Sequence, residues 1–200
     1  MPDNVTVKAE KGFLPCPEGT IQAVAVDVID LGETMESYKN EPPQKKHKVA
    51  IVFQADELNP DTGKRFEPSI ELTASFGRKA NLRKFLGDWR GKPYTDEEAE
   101  GTGAPLHKLV GVNAILNIQH KTSVGAGRLY ALIASISPPM KGMGKMTPLD
   151  YTRSAHWEKR KEDYCAKVLE AERAHLTPAA ANAAEYPAPE DEDESDSLPF

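Results

Sequence analysis

A mainly β fold with one helix between its third and fourth strands is what this 200-residue sequence predicts. Three observations predict it. Five stretches rich in Val, Ile, Leu and Ala are set off by turn formers. Between the third and fourth of them the apolar spacing switches from period two to period 3.6. Beyond residue 149 the chain passes to good helix formers with mixed charge, and then to Ala, Pro and acid.

The first strand is TIQAVAVDVIDL, Thr20 to Leu31, whose near-continuous apolar run predicts partial burial on both faces. ETMESYKNEPPQKK follows as a polar loop, because Pro42 and Pro43 exclude regular structure. HKVAIVFQA, His47 to Ala55, is the second strand, and NPDTGKR is a turn. In SIELTASF, Ser69 to Phe76, alternation places Ile70, Leu72, Ala74 and Phe76 on one face. Leu82, Phe85, Leu86 and Trp89 then fall at i, i+3, i+4 and i+7, one stripe of a helix that Gly91-Lys92-Pro93 ends. Thr95-Asp96-Glu97-Glu98 has the form of a capping box and predicts a short second helix. GVNAILNIQH, Gly111 to His120, is the fourth strand; KTSVGAG is a hairpin loop; RLYALIASIS, Arg128 to Ser137, is the fifth, stopped by Pro138-Pro139.

Five strands with a helix between the third and fourth is the order of the OB-fold, a small, partly open Greek-key barrel, though other α+β arrangements share it. The expected organisation is an OB-fold-like domain over 1–142, a linker and C-terminal helix over 143–176, and a disordered acidic tail over 177–200. The helix, near Ser154 to His175, is expected to pack on the body, to self-associate, or to add basic contacts through Arg153, Lys159, Arg160 and Lys161.

The net charge of −6 conceals an asymmetry. From Glu185 onward there are seven acids and no base; removing them from the 31 leaves 24 against 25 Lys and Arg. A near-neutral body with an anionic tail suggests an interaction tail, and it requires any nucleic-acid surface to arise from local clustering. Cys16 and Cys165 form neither a disulfide framework nor a zinc site, and a reducing cytoplasm is the plain expectation. The opening residues carry no apolar run of the kind a secretory leader needs, and no stretch reaches membrane-span length.

The tail closes on DEDESDSLPF. Solubility alone does not call for a terminal Phe. A ring beside an α-carboxylate, stiffened by Pro199 and preceded by acids, suits a basic-rimmed apolar pocket on a partner. This stretch resembles the C-terminal tip of bacterial single-stranded-DNA-binding proteins, a run of Asp ending in a small apolar-Pro-Phe tripeptide. It matches at Asp196, Leu198, Pro199 and Phe200; upstream, at Asp191, Glu192, Asp193 and Glu194, Glu replaces some Asp. The resemblance implies an OB-fold that binds single-stranded DNA and a tip that recruits DNA replication, recombination and repair proteins. The long first loop and the Trp-bearing segment after the third strand are more similar to phage-encoded (bacteriophage) versions, whose setting is the host cytoplasm.

A single-strand binder needs cations along a groove and aromatic faces for bases. OB-folds place them on the second and third strands and on the loops joining strands one to two and four to five. Three clusters fit those places: Lys45, Lys46 and Lys48; Arg78, Lys79, Arg83, Lys84, Arg90 and Lys92, against only Asp88; and Lys121 with Arg128. Stacking is expected from one or two of Trp89, Tyr94 and Tyr130. Strand parity sets Tyr130 with Leu132 and Ile136, pointing inward.

No cofactor is expected. GMGKMT departs from the phosphate-loop pattern at Met146, the Gly125-Ala126-Gly127 run sits in a hairpin, and the five histidines are scattered. No nucleophile or acid–base constellation stands out, so a non-enzymatic binding role is expected. The alternative is a protein-only adaptor of a replication complex.

Overall fold

The computed structural model describes residues 14–37, 42–123 and 127–182, with side chains to 174. The strands are β1 (Gly19–Glu36), β2 (Gln44–Ala55), β3 (Ser69–Thr73), β4 (Asn113–Thr122) and β5 (Leu129–Ser137). The helices are α1 (Asn81–Arg90), α2 (Asp96–Glu100) and α3 (Ala155–Asn182), with a 3-10 turn at Leu106–Leu109. The strands form one antiparallel sheet in the order β3-β2-β1-β4-β5. It does not close by hydrogen bonding: β3 and β5 are its edges, they approach one another, and α1 packs against both.

β1 carries the architecture. Its first six residues pair with β4, and nearly its whole length pairs with β2. Two bulges, between Ala25 and Asp27 and between Asp30 and Gly32, each insert an unpaired residue. A bulge adds local twist and shifts the side-chain parity by one. Ala23 and Ala25, before the first bulge, and Val28, after it, therefore all face one core. Val24, Val26, Ile29 and Leu31 face the other. Gly32, at φ 74°, occupies the left-handed conformation that the second bulge requires.

The β1–β2 hairpin is longer than the sequence predicts. Glu33 to Glu36 and Gln44 to Lys46 are strand, and the connection shrinks to 37–43. The polar residues stay on the ladder because they pair across it, Lys45 with Glu33 at 3.4 Å and Lys48 with Glu36 at 2.7 Å. β3 ends at Thr73 rather than Phe76.

Two layers cover the sheet. On the inner face Leu82, Phe85, Leu86 and Trp89 of α1 join Ile51, Phe53, Leu116, Ile118 and Ile136, so the helical stripe read from the sequence is the buried one. Gly91 ends α1 in the left-handed conformation at φ 73°. Thr95 and Glu98 form the full capping box of α2, with Glu98 N–H donating to Thr95 Oγ1 at 3.2 Å and Thr95 N–H to Glu98 Oε2 at 2.9 Å.

On the outer face α3 lies across β1, β2 and β3. Trp157 and Tyr164 pack on Val24, Val26, Ile29, Leu31, Ala50 and Val52. Two carboxylates clamp it: Asp27 accepts from Arg153 at 2.8 Å and from Tyr151 at 2.9 Å, and Glu71 accepts from Arg160 at 3.0 Å and from Tyr164. Of the three roles open to this helix, the structure shows packing on the body. α3 begins at Ala155 and continues past Leu176 to Asn182.

The stretch expected as a plain linker is a strap. The side-chain amide of Asn113 accepts from Met146 N–H at 2.7 Å and donates to Met146 C=O at 2.8 Å. Gln54 does the same for Leu149, at 2.8 and 2.7 Å. Both amides are buried polar groups, and the strap satisfies them.

Candidate nucleic-acid interface

Two clefts flank the start of α1. One, of about 740 Å³, lies between α1 and β5, with Arg78, Arg83, Lys84, Lys92 and Tyr94 on one wall and Ser135 and Ile136 on the other. The second, of about 450 Å³, is lined by Lys45, Lys46 and His47 at the start of β2, Thr73 at the end of β3, Ser75 beyond it, and Lys79. Arg78 opens into the first and its neighbour Lys79 into the second, so the clefts adjoin at the turn into α1. Two of the three cationic clusters thus come together through the topology.

Cation count overstates cation availability. Arg78 pairs with Asp96 at 2.6 Å, Lys84 with Asp88 at 2.8 Å, and Lys45 with Glu33 and Glu172. Arg83 donates to the Tyr94 carbonyl at 2.6 Å and to Asp96 at 3.0 Å. Arg90 donates to the carbonyls of Lys92 and Pro93 at 2.6 and 2.7 Å and to Glu98 at 2.7 Å. Arg83 and Arg90 therefore shape the turn between α1 and α2. The other pairs are exposed, and such pairs are weak enough for a phosphate to displace the carboxylate. Among the described residues Lys46, Lys79, Lys92, Lys121 and Arg128 have no ion-pair partner.

The carboxylates respond to these cations. Hydrogen bonding from Arg90, aided by the Thr95 N–H, brings Glu98 down to about 2. The hydrogen bond from Arg83 holds Asp96 below the ordinary carboxylate value. Burial pushes Asp27 up, but hydrogen bonds from Arg153 and Tyr151 and the Arg153 charge more than offset it, leaving it lowered.

The three aromatic candidates separate. Trp89 is 4% exposed, packs on Phe53 at 5.2 Å between ring centroids, and donates its indole N–H to the Asn113 carbonyl at 2.9 Å. It is a core residue with no face for a base. Tyr130 points outward, contrary to its parity with Ile136. Asn117 pairs with Ser135 but Ile118 with Ile133, so Ala134 is an extra residue that flips the parity along β5. Ile133 and Ile136 face the core; Tyr130 is 41% exposed opposite Lys121. Tyr94 is half-buried and lines the larger cleft.

The third cluster stands apart. β4 pairs with Gly19 through Ile118 and runs on to Thr122, so its hairpin with β5 projects beyond the start of β1. The β1–β2 hairpin leaves from the opposite end. Tyr130 lies about 17 Å along β5 from Ser135, at a strand rise of about 3.4 Å per residue.

On the outer face of β2 and β3, where an OB-fold binds oligonucleotides, α3 occupies Ala50 and Val52 of β2 and Glu71 of β3. Arg153 and Arg160 are engaged with Asp27 and Glu71, leaving Lys159 and Lys161 exposed. The tail residues Asp191, Glu192, Asp193, Glu194, Asp196, Leu198, Pro199 and Phe200 lie outside the described residues. Among the described residues no group of three or more His, Cys, Asp or Glu could hold a metal, and no helix is long and apolar enough to cross a membrane. Asp96, Glu98, Asn113 and Gln54, which organise the clefts and the strap, escaped the sequence reading; only the capping box pointed to any of them. Comparison with protein-family models, with curated proteins and with solved structures gives no match.

Proposed function

We propose that this chain is a non-catalytic single-stranded-DNA-binding protein with little sequence preference. Its acidic tail recruits replication, recombination or repair proteins, in the cytoplasm of a bacterial host if it is phage-encoded. The observation that carries the reading is the pair of adjoining clefts: Lys46 and Lys79 line the smaller, Lys92 and the half-buried Tyr94 the larger, and none of the three lysines has an ion-pair partner among the described residues. Phosphate neutralisation and base stacking are the two elements of sequence-tolerant single-strand binding. The sheet order supports an OB-type barrel left open between β3 and β5. With α3 over the outer face of β2 and β3, the strand follows the clefts at the sheet's edges.

Binding of labelled oligo-dT by fluorescence anisotropy, at low and moderate salt, tests this. Affinity that falls steeply with salt supports it; a chain that ignores oligo-dT even in dilute buffer sinks it. Intrinsic tryptophan quenching is a poor probe, because Trp89 and Trp157 are both buried. The rival reading, a protein-only adaptor, draws on the extent to which Asp88, Asp96 and Glu98 neutralise the cations of α1. The same measurement separates the two.

A further inference from the structure

We infer that Tyr94 is the base-stacking platform of the larger cleft, held in place from behind by Arg90; this rests on the proposed single-strand binding and assigns its aromatic contact. The Arg90 guanidinium lies 3.6 Å from the centre of the Tyr94 ring. It is not a loose cation. Its bonds to the Lys92 and Pro93 carbonyls and to Glu98 fix it over one face of the ring. Phe76 and Tyr94 form a T-shaped pair, at 5.0 Å between centroids and 74° between planes. Arg83, bonded to the Tyr94 carbonyl, pins the backbone.

The ring is therefore immobilised before any ligand arrives, and the entropy of ordering it is met in folding rather than in binding. Tyr94 lines the cleft with Arg78, Lys84 and Lys92, and with Asp88 as its one acid, so a base stacked there has its own phosphates within reach of cations. A cation behind the ring adds an electrostatic attraction of the kind seen when Arg joins base–aromatic stacks. The other aromatic candidates lack this combination. Trp89 is enclosed, and Tyr130 stands on an open sheet face opposite Lys121.

The test compares oligo-dT with an abasic oligomer of equal length, which keeps the phosphates and removes the bases, against the full chain and its Tyr94→Ala and Tyr94→Trp variants. The parent is expected to prefer oligo-dT. Tyr94→Ala is expected to lose roughly 5- to 150-fold in dT affinity, the range for one stacked base, with abasic affinity unchanged. Tyr94→Trp restores the preference, and its added indole emission is quenched by dT. An alanine variant that keeps the full preference for dT, or a tryptophan variant whose emission does not respond, overturns the assignment. Loss of abasic affinity together with dT affinity in Tyr94→Ala also overturns it, because that marks a collapsed cleft rather than a lost stack. If the parent binds neither oligomer, the failure lies in the single-strand reading itself.

Discussion

Replacing Asn113 with Ala isolates the strap that ties 143–149 to the sheet. The backbone carbonyl that accepts from Trp89 survives the substitution, so the inner core is left in place. What disappears are the two side-chain bonds to Met146, at 2.7 and 2.8 Å, and a longer one from Gln22 at 3.4 Å. A net worth of about 0.5–1.5 kcal/mol per bond puts the loss near 2 kcal/mol. For a protein of this size that lowers Tm by about 4–8 °C. If the strap opens on its own, its open population rises about thirtyfold, and trypsin cleavage after Lys145 accelerates in proportion. Cleavage after Lys79, in the turn that leads into α1, is the internal control. A variant with unchanged Tm and unchanged cleavage after Lys145 would show that the amide contacts do not hold the strap.

Three further outcomes follow from the clefts and from α3. Removing the unpaired cations together, Lys46→Ala, Lys79→Ala and Lys92→Ala, is expected to reduce the salt slope of oligo-dT binding by about 2, checked by titration across salt concentrations. Trp157→Ala opens a cavity between α3 and β1 and is expected to cost about 3–5 kcal/mol, read by urea unfolding. Asp27, whose folded pKa is lowered, contributes stability that is full above its unfolded value near about 4 and is lost as pH falls through the lowered folded value. Asp27→Asn is therefore expected to be less stable at neutral pH and to lose that component of the acid-induced decline in the urea midpoint.

Regular features of the fold were legible because they repeat. Ile70 and Leu72 share a face of β3, and Leu82, Phe85, Leu86 and Trp89 share a stripe of α1; a period needs only composition to be seen. Single insertions leave no such trace. Nothing about Ala134 marks it as the extra residue of β5, yet it alone reverses Tyr130. Parity arguments hold only between bulges. The strap was hidden for a different reason: Asn113 and Gln54 are ordinary polar residues within strands until the segment they grip, 33 and 95 residues away, arrives. The charge balance of the clefts was misjudged in the same way. Asp96 and Glu98 sit 13 and 8 residues beyond the arginines they neutralise, and counting charge along α1 alone omits them.

The clamp between Asp27 and Arg153 spans 126 residues. β1 is made early and α3 late, so during synthesis the apolar side of β1 waits for its cover. At about 5–20 residues per second that wait lasts roughly 6–25 s. Val24, Val26, Ile29 and Leu31 are exposed throughout it, on a nascent chain whose two central strands already invite pairing. A stop codon placed before Trp157 would leave that face without its cover permanently.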